Sequence, residues 1–272
     1  MSELTITNEI RANAKKIREE YEAYSNFGTY SVLIMGIFGT GKTRLLTTMP
    51  KPLLIDSFDP KGTVVVERLY PEELKKGSIL IRRFWDEDYR KPSEYRRWED
   101  QWEKDLDTNF LDNLGTYAID SMTTWLDSLA NHFSVELKRD RKVQKLAIND
   151  YLWMYDVVKR VIKKSSNCTC NFAVTGHLVE EQDDTTGKVE ARLKTFKQLQ
   201  TDIPLLFTEK YVLRKRMDGA NAKYEVLITS AGRYEASTQL GAGGTLNSSE
   251  EPDLKKIMAK VGLNTDDKPL LL

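Results

Sequence analysis

The chain has little of what would mark it as secreted, membrane-spanning or basic in bulk. Two cysteines, Cys168 and Cys170, stand among 272 residues. A C-x-C pair in a strand-like run points both thiols to one face and offers no second pair to complete a zinc site, so reduced structural thiols in a cytosolic protein are expected. Lys plus Arg and Asp plus Glu are both 41, which excludes bulk attraction to nucleic acid and leaves any basic surface local. No apolar run approaches about 18 residues, and Met1 to Glu20 are too polar for a secretory leader, so no membrane partner is expected. Repeats at solenoid periods are absent, and low complexity is confined to Gly241–Gly244. What remains, 40% hydrophobic and 30% charged, suits a globular protein able to bury one sizeable core.

Against that background one stretch stands out. Gly36-Ile37-Phe38-Gly39-Thr40-Gly41-Lys42-Thr43 satisfies the phosphate-binding pattern G-x-x-x-x-G-K-[ST] at every constrained position. It follows the apolar run Ser31–Met35, read as a buried strand, and precedes Lys42–Met49, read as a helix halted by Pro50. Strand, glycine loop and helix are the context the motif requires. Glycines let backbone N–H groups turn inward around a polyphosphate, and the helix N-terminus adds partial positive charge. The expected ligand is ATP with Mg²⁺, bound by Gly36, Phe38, Gly39, Thr40, Gly41, Lys42, Thr43 and Arg44. Lys42 would reach the β- and γ-phosphates, and the Thr43 hydroxyl would ligate the metal.

Residues 7–24 space Ile10, Ala14, Ile17, Tyr21 and Tyr24 by fours and threes, an amphipathic helix that covers either the sheet edge or a neighbouring subunit. Strands are expected at Leu53–Asp56, Thr63–Val66 and Ser78–Ile81. Tyr95, Trp98, Trp102, Leu106 and Phe110 form an aromatic stripe, read as core-facing in preference to a base-stacking platform. Thr116–Asp120 is a strand ending in a carboxylate placed to act as a Walker B acid. From the strand adjacent to the phosphate loop, Asp120 would hold Mg²⁺-bound water or the Thr43 hydroxyl; the alternative is a helix cap. After a helix carrying Met122, Leu126, Leu129 and Phe133 inward comes the densest basic segment, with Lys138, Arg139, Arg141, Lys142 and Lys145, either a DNA contact or solvated surface. The next helix sets Ile148, Leu152, Tyr155, Val158 and Ile162 on one face. His177 is expected just past the end of the strand Asn171–Thr175, where it either senses the γ-phosphate or is an ordinary surface histidine. A loop rich in turn residues follows, with Lys188, Arg192 and Lys194 on its return side, and then a hairpin at Lys210–Arg216 and Lys223–Thr229.

In strand order the chain resembles the RecA/Rad51-like ATPase core, and more narrowly the phage AAA-type nucleotide-binding proteins that include RecA-like single-strand-annealing proteins. Gly36–Thr43, Leu53–Asp59, Tyr117–Ser121, Val174–His177 and Glu250–Leu254 carry the resemblance. It implies an α/β fold, a RecA-like P-loop NTPase core with a mostly parallel sheet flanked by helices and an antiparallel C-terminal hairpin, divided as helix 1–28, core 29–240 and linker with short helix 241–272. It also implies a cytoplasmic, phage-encoded ATPase that binds single-stranded DNA through Lys138, Arg139, Arg141, Lys142, Lys145, Lys188, Arg192 and Lys194. Such a protein assembles into rings or filaments, assists annealing, and meets a single-strand-binding or replication protein. The implied catalytic set is Lys42, Asp59, Asp120 and His177. The family's glutamate after the second strand is missing, since Phe58 stands near that place and Asp59 is the nearest carboxylate; slow hydrolysis, or hydrolysis completed by a partner, is expected. A nucleotide-dependent switch or scaffold that never touches DNA is the rival reading.

Overall fold

The core strands read as unbroken apolar runs because both faces of their sheet are covered. In the strand Ser31–Gly36, Val32 and Ile34 enter one layer of the core while Leu33 and Met35 enter the other. A computed structural model describes residues 7–23, 29–136, 147–182, 187–219 and 221–272. In chain order the elements begin with α1 (Asn8–Ala23), β1 (Ser31–Gly36), α2 (Lys42–Leu46), β2 (Leu53–Ser57), α3 (Val64–Leu69), α4 (Pro71–Lys75) and β3 (Ile79–Arg83). Next come α5 (Glu94–Asp107), β4 (Thr116–Asp120), α6 (Met122–Glu136), α7 (Ile148–Ser166), β5 (Asn171–Gln182), β6 (Val189–Leu193) and α8 (Lys197–Asp202). The hairpin β7 (Glu209–Asp218) and β8 (Asn221–Leu227), the short β9 (Ser237–Thr238) and β10 (Ser249–Glu250), and α9 (Leu254–Lys260) complete the chain.

The sheet order is β10-β8-β7-β1-β5-β4-β2-β3, with β6 added to β5 and β9 to β7. Strands from β7 through β3 run parallel, and β8, β10, β6 and β9 pair antiparallel. This is the expected mostly parallel α/β sheet flanked by helices and closed by C-terminal antiparallel strands. One face packs under α5, α6 and α7; Tyr95, Trp98 and Trp102 are at most 2% exposed, so the aromatic stripe faces the core. The other face packs under α2 and α9, where Leu45, Leu46, Leu254, Ile257 and Met258 are buried together. The segment after residue 241 is thus tied to the sheet, and Leu254 N donates to Thr48 Oγ1 at 2.9 Å. Among the described residues no helix is long and apolar enough to cross a membrane.

Four expectations are corrected, and of the two covers open to the α1 stripe the sheet edge is ruled out. Residues 63–66 form the start of α3 rather than a strand: Thr63 precedes its first turn and only Val66 of the three valines is buried, so tertiary packing of one side chain overrides the β-preference of the run. The stripe of α1 lies open, with Ile10 54%, Ile17 58% and Tyr21 61% exposed, and does not cover the sheet edge. The core face of α7 is Met154, Val157, Val158, Val161 and Ile162, whereas Leu152 is 44% exposed, because the helix is rotated relative to the stripe expected from Leu152. Cys168 and Cys170 are buried free thiols in the turn ahead of β5 rather than in a strand. Finally, β4 is not adjacent to β1, because β5 lies between them.

Candidate nucleotide site

The site forms at the C-terminal ends of β1, β5, β4 and β2, where an open α/β sheet leaves its ligand crevice. Gly36 ends β1 where any side chain would collide: a Cβ there would meet Leu213 O at 2.6 Å and Thr40 Oγ1 at 2.7 Å. Gly39 and Gly41 take φ values of 79° and 92°, in the left-handed region that glycine enters without penalty. The loop folds on itself through Thr40 Oγ1, which donates to Ile37 O at 2.9 Å. Lys42 is buried and donates to Gly36 O at 2.9 Å and Ile37 O at 3.1 Å. Phe38 is 90% exposed with its ring centroid 6.3 Å from that of His177, and Arg44 is exposed on α2.

Thr43 Oγ1 donates to Asp120 Oδ2 at 2.7 Å, so the carboxylate at the end of β4 reaches the phosphate loop across the intervening β5. That strand contributes Thr175, whose hydroxyl donates to the other oxygen of Asp120. Asp120 and Ser121 are joined by a cis peptide bond, and Ser121 Oγ lies 3.5 Å from Asp59 Oδ1. His177 is not past a strand end. It sits inside β5, because that strand continues outward to pair with β6. Its Nδ1 is 3.2 Å from Lys42 Nζ and its Nε2 is 3.8 Å from Asp59 Oδ2. The tautomer with the proton on Nε2 accepts from Lys42 and points its N–H at Asp59. The main chain of His177 is held too: Lys194 N donates to His177 O at 2.7 Å, and His177 N donates to Thr123 Oγ1 at 3.3 Å.

Burial shapes the charges. It lowers the Lys42 ammonium from 10.5 to about 8, against the opposing attraction of Asp120 and Asp59. Burial likewise pushes Asp120 up, opposed by the hydroxyls of Thr175 and Thr43. At Asp59 burial is outweighed by hydrogen bonds from His177 and Thr124 and by the charge of Lys42, so its carboxyl stays below the usual range. Because Lys42 in the ligand-free protein loses its proton near pH 8, anionic phosphate must compete for a falling fraction of charged lysine above that pH. ATP affinity, measured by titration calorimetry, should therefore weaken about tenfold per pH unit above pH 8. The unfolded lysine holds its proton to about 10.5, so the stability of the ligand-free protein gains from this group over the same window; the two trends have opposite sign.

The structure therefore brings Lys42, Thr43, Asp59, Asp120 and His177 into one cluster. Lys188 and Arg192 lie on or beside β6 and pair with Glu190 at 3.0 and 2.9 Å, and Lys194 is exposed. Lys138, Arg139, Arg141, Lys142 and Lys145 fall outside the described residues. Thr175, Ser121 and Thr124 were not expected in the site; the one signal for Thr175 is a hydroxyl interrupting an otherwise apolar strand run, and Ser121 and Thr124 had none beyond following Asp120.

The residues fit a magnesium triphosphate. Gly39 and Gly41 leave the loop open, since nothing would lie within 4 Å of a Cβ at either position. Thr43 and Asp120 are hard oxygen donors joined by a hydrogen bond of 2.7 Å. That suits Mg²⁺, which binds through one or two protein oxygens and substrate phosphates in place of an all-protein cage.

A parallel sheet carrying a strand–glycine loop–helix unit and an acid reaching the loop threonine defines a P-loop NTPase. The profile of the AAA domain family matches residues 29–230, and the chain belongs to that family. ATP binding with Mg²⁺ is typical of this domain. No curated protein matches the chain. Among solved structures, the flagellar accessory protein FlaH from Methanocaldococcus jannaschii is similar at 11% identity, over 85% of this chain and 88% of that one, with a TM-score of 0.45. A KaiC-like protein from Pyrococcus horikoshii is similar at 14% identity, over 78% and 83% of the two chains, with a TM-score of 0.43.

Proposed function

We propose that the protein is a Mg²⁺-dependent ATPase that works as a nucleotide-dependent switch, acting on its own assembly or on a protein partner. The observation that carries this reading is His177, whose ring stands between Lys42 and Asp59 while its main chain is bonded to Lys194 at the end of β6. A phosphate that draws Lys42 away from Gly36 O and His177 changes the balance on the histidine ring, and the β5–β6 hairpin is the element attached to it. Gly39 and Gly41 open the backbone amides toward phosphate, and Lys42 supplies positive charge. Mg²⁺, when bound, would neutralise phosphate charge beside Thr43 and Asp120. Asp59, ionised at neutral pH, is the carboxylate placed to accept a hydrogen bond from attacking water. It is one carbon shorter than a glutamate and is already engaged by His177, which supports slow turnover.

Single-stranded DNA binding is the second reading, favoured by the exposed Lys194 beside Lys188 and Arg192. It is weakened by Glu190, which pairs with the latter two. Sedimentation velocity and limited proteolysis of the β5–β6 hairpin, each with and without ATP and Mg²⁺, test the switch. Particle size or hairpin protection should change with ATP, and His177→Ala should bind ATP yet lose the change. Asp59→Asn should keep ATP affinity while hydrolysis slows about a hundredfold or more. Size and protection indifferent to nucleotide would overturn the switch; an ATP-dependent mobility shift of single-stranded DNA would favour the second reading.

A further inference from the structure

A cleft of about 440 Å³ opens on the face of the sheet opposite α2, between β6, the α8 region and the turn after β8. Its floor is Met35, the residue immediately before Gly36 of the phosphate loop, and Leu193 and Pro204 make its walls apolar. Lys188, Arg192, Lys210 and Arg233 line it, with only Glu190 and Glu235 as lining carboxylates. Three of those cations have a close acid: Lys188 and Arg192 meet Glu190 at 3.0 and 2.9 Å, and Arg233 meets Glu180 at 2.9 Å.

Lys210 differs. It pairs with Leu33 of β1 through the sheet, and its side chain is only 14% exposed. Its nearest carboxylate, Glu235, lies at 3.8 Å and is itself 82% exposed. Among the described residues Lys210 Nζ makes no hydrogen bond. An ammonium has three donors, and this one stands at the open cleft with those donors free for a ligand oxygen. A ligand oxygen in the cleft would satisfy it. The cleft falls within the usual range for small-molecule sites, about 300–1,000 Å³. Its apolar floor suits the body of a ligand, and the Arg192 and Arg233 guanidiniums suit a phosphate better than a single carboxylate.

We propose that this cleft is a second ligand site that takes a phosphomonoester of about mononucleotide size, with its phosphate on Lys210, and that its occupancy is passed to the phosphate loop. The path is covalent and hydrogen-bonded. Leu193 of the wall is followed by Lys194, whose N donates to His177 O at 2.7 Å and whose O accepts from Thr123 Oγ1 at 3.2 Å; Thr123 also accepts from His177 N. The opposite wall is tied to the same strand, since Ala191 N donates to Arg233 O at 2.9 Å. Only the coupling rests on the switch proposed above; binding in the cleft does not.

The test titrates inorganic phosphate and thymidine 5′-monophosphate calorimetrically into Lys42→Ala protein, so that the phosphate loop does not compete. Saturable binding is expected, weakened about tenfold or more by adding Lys210→Met and largely retained by Lys210→Arg. With Lys42 intact, saturating thymidine monophosphate should shift ATP affinity about threefold or more, and Lys210→Met should abolish the shift while leaving ATP affinity alone. A 5′-phosphorylated oligothymidylate separates the two sources of such a phosphate: tighter binding than the monophosphate assigns the site to strand ends, weaker binding to free nucleotides. Absence of saturable binding by any of these probes, or binding indifferent to both Lys210 substitutions, overturns the site. Lys210-dependent binding that leaves ATP affinity unmoved overturns the coupling. Failure of the intact protein to bind ATP, with cleft binding preserved, overturns the switch alone.

Discussion

Lys42→Ala should bind ATP between about thirtyfold and several-thousandfold more weakly than the natural protein, the range set by about 2–5 kcal/mol for removing one partner of a buried charged contact. The lysine is the one cation inside the loop, buried and held by two loop carbonyls at 2.9 and 3.1 Å. In the free protein its charge is desolvated, as the fall to about 8 records, so its removal should cost the fold little. Thermal unfolding separates the two effects. The variant should melt close to the natural protein without nucleotide but lose most of the rise that saturating ATP gives, a rise of about 2.7 kcal/mol for a ligand at a hundred times its dissociation constant. Undiminished ATP affinity in this variant would remove the phosphate loop from the binding site altogether.

Asp56→Ala should be the most damaging single change to the fold, about 3–5 kcal/mol by urea unfolding, with a proportionate fall in the midpoint. Asp56 is fully buried at the end of β2 and accepts from four donors. Arg82 Nε and Nη2 reach it at 2.6 and 2.8 Å, Tyr117 OH at 2.9 Å and Trp98 Nε1 at 3.0 Å. Alanine would leave the guanidinium with Asp105 alone, strand the buried Tyr117 hydroxyl and reduce Trp98 Nε1 to its 3.4 Å contact with Tyr117 OH, among the tryptophans of α5 and α6. A loss under about 1 kcal/mol would mean that water reaches the network and that Arg82 is not confined by it.

Asp56 and Asp59 differ in ways that their local sequence does not record. Both stand at or just after the end of the same strand, and sequence alone makes Asp59 the candidate only as the acid nearest the place of a missing glutamate. The sheet decides the matter physically. Asp56 faces Arg82 on β3 and becomes part of the core, whereas the chain turns after Phe58 and places Asp59 3.8 Å from His177. The Val64–Val66 run and the α7 stripe went astray for a related reason. β-preference and helical period describe a segment in isolation, while the side that gets buried is chosen by neighbours far away in the chain.

The phosphate loop, the α/β alternation and the carboxylate at the end of β4 are legible in the residues alone. Each is a local matter of glycine geometry, apolar runs and their terminators, and all of it is written within about ten consecutive residues. That β5 runs between β1 and β4 follows from long-range strand pairing alone. That insertion sets Thr175 on Asp120 and carries His177 between Lys42 and Asp59, while the pairing of β7 with β1 leaves Lys210 facing a cleft floored by Met35. Strand order joins residues more than a hundred positions apart, and no local pattern of apolar and polar residues records which strand lies beside which.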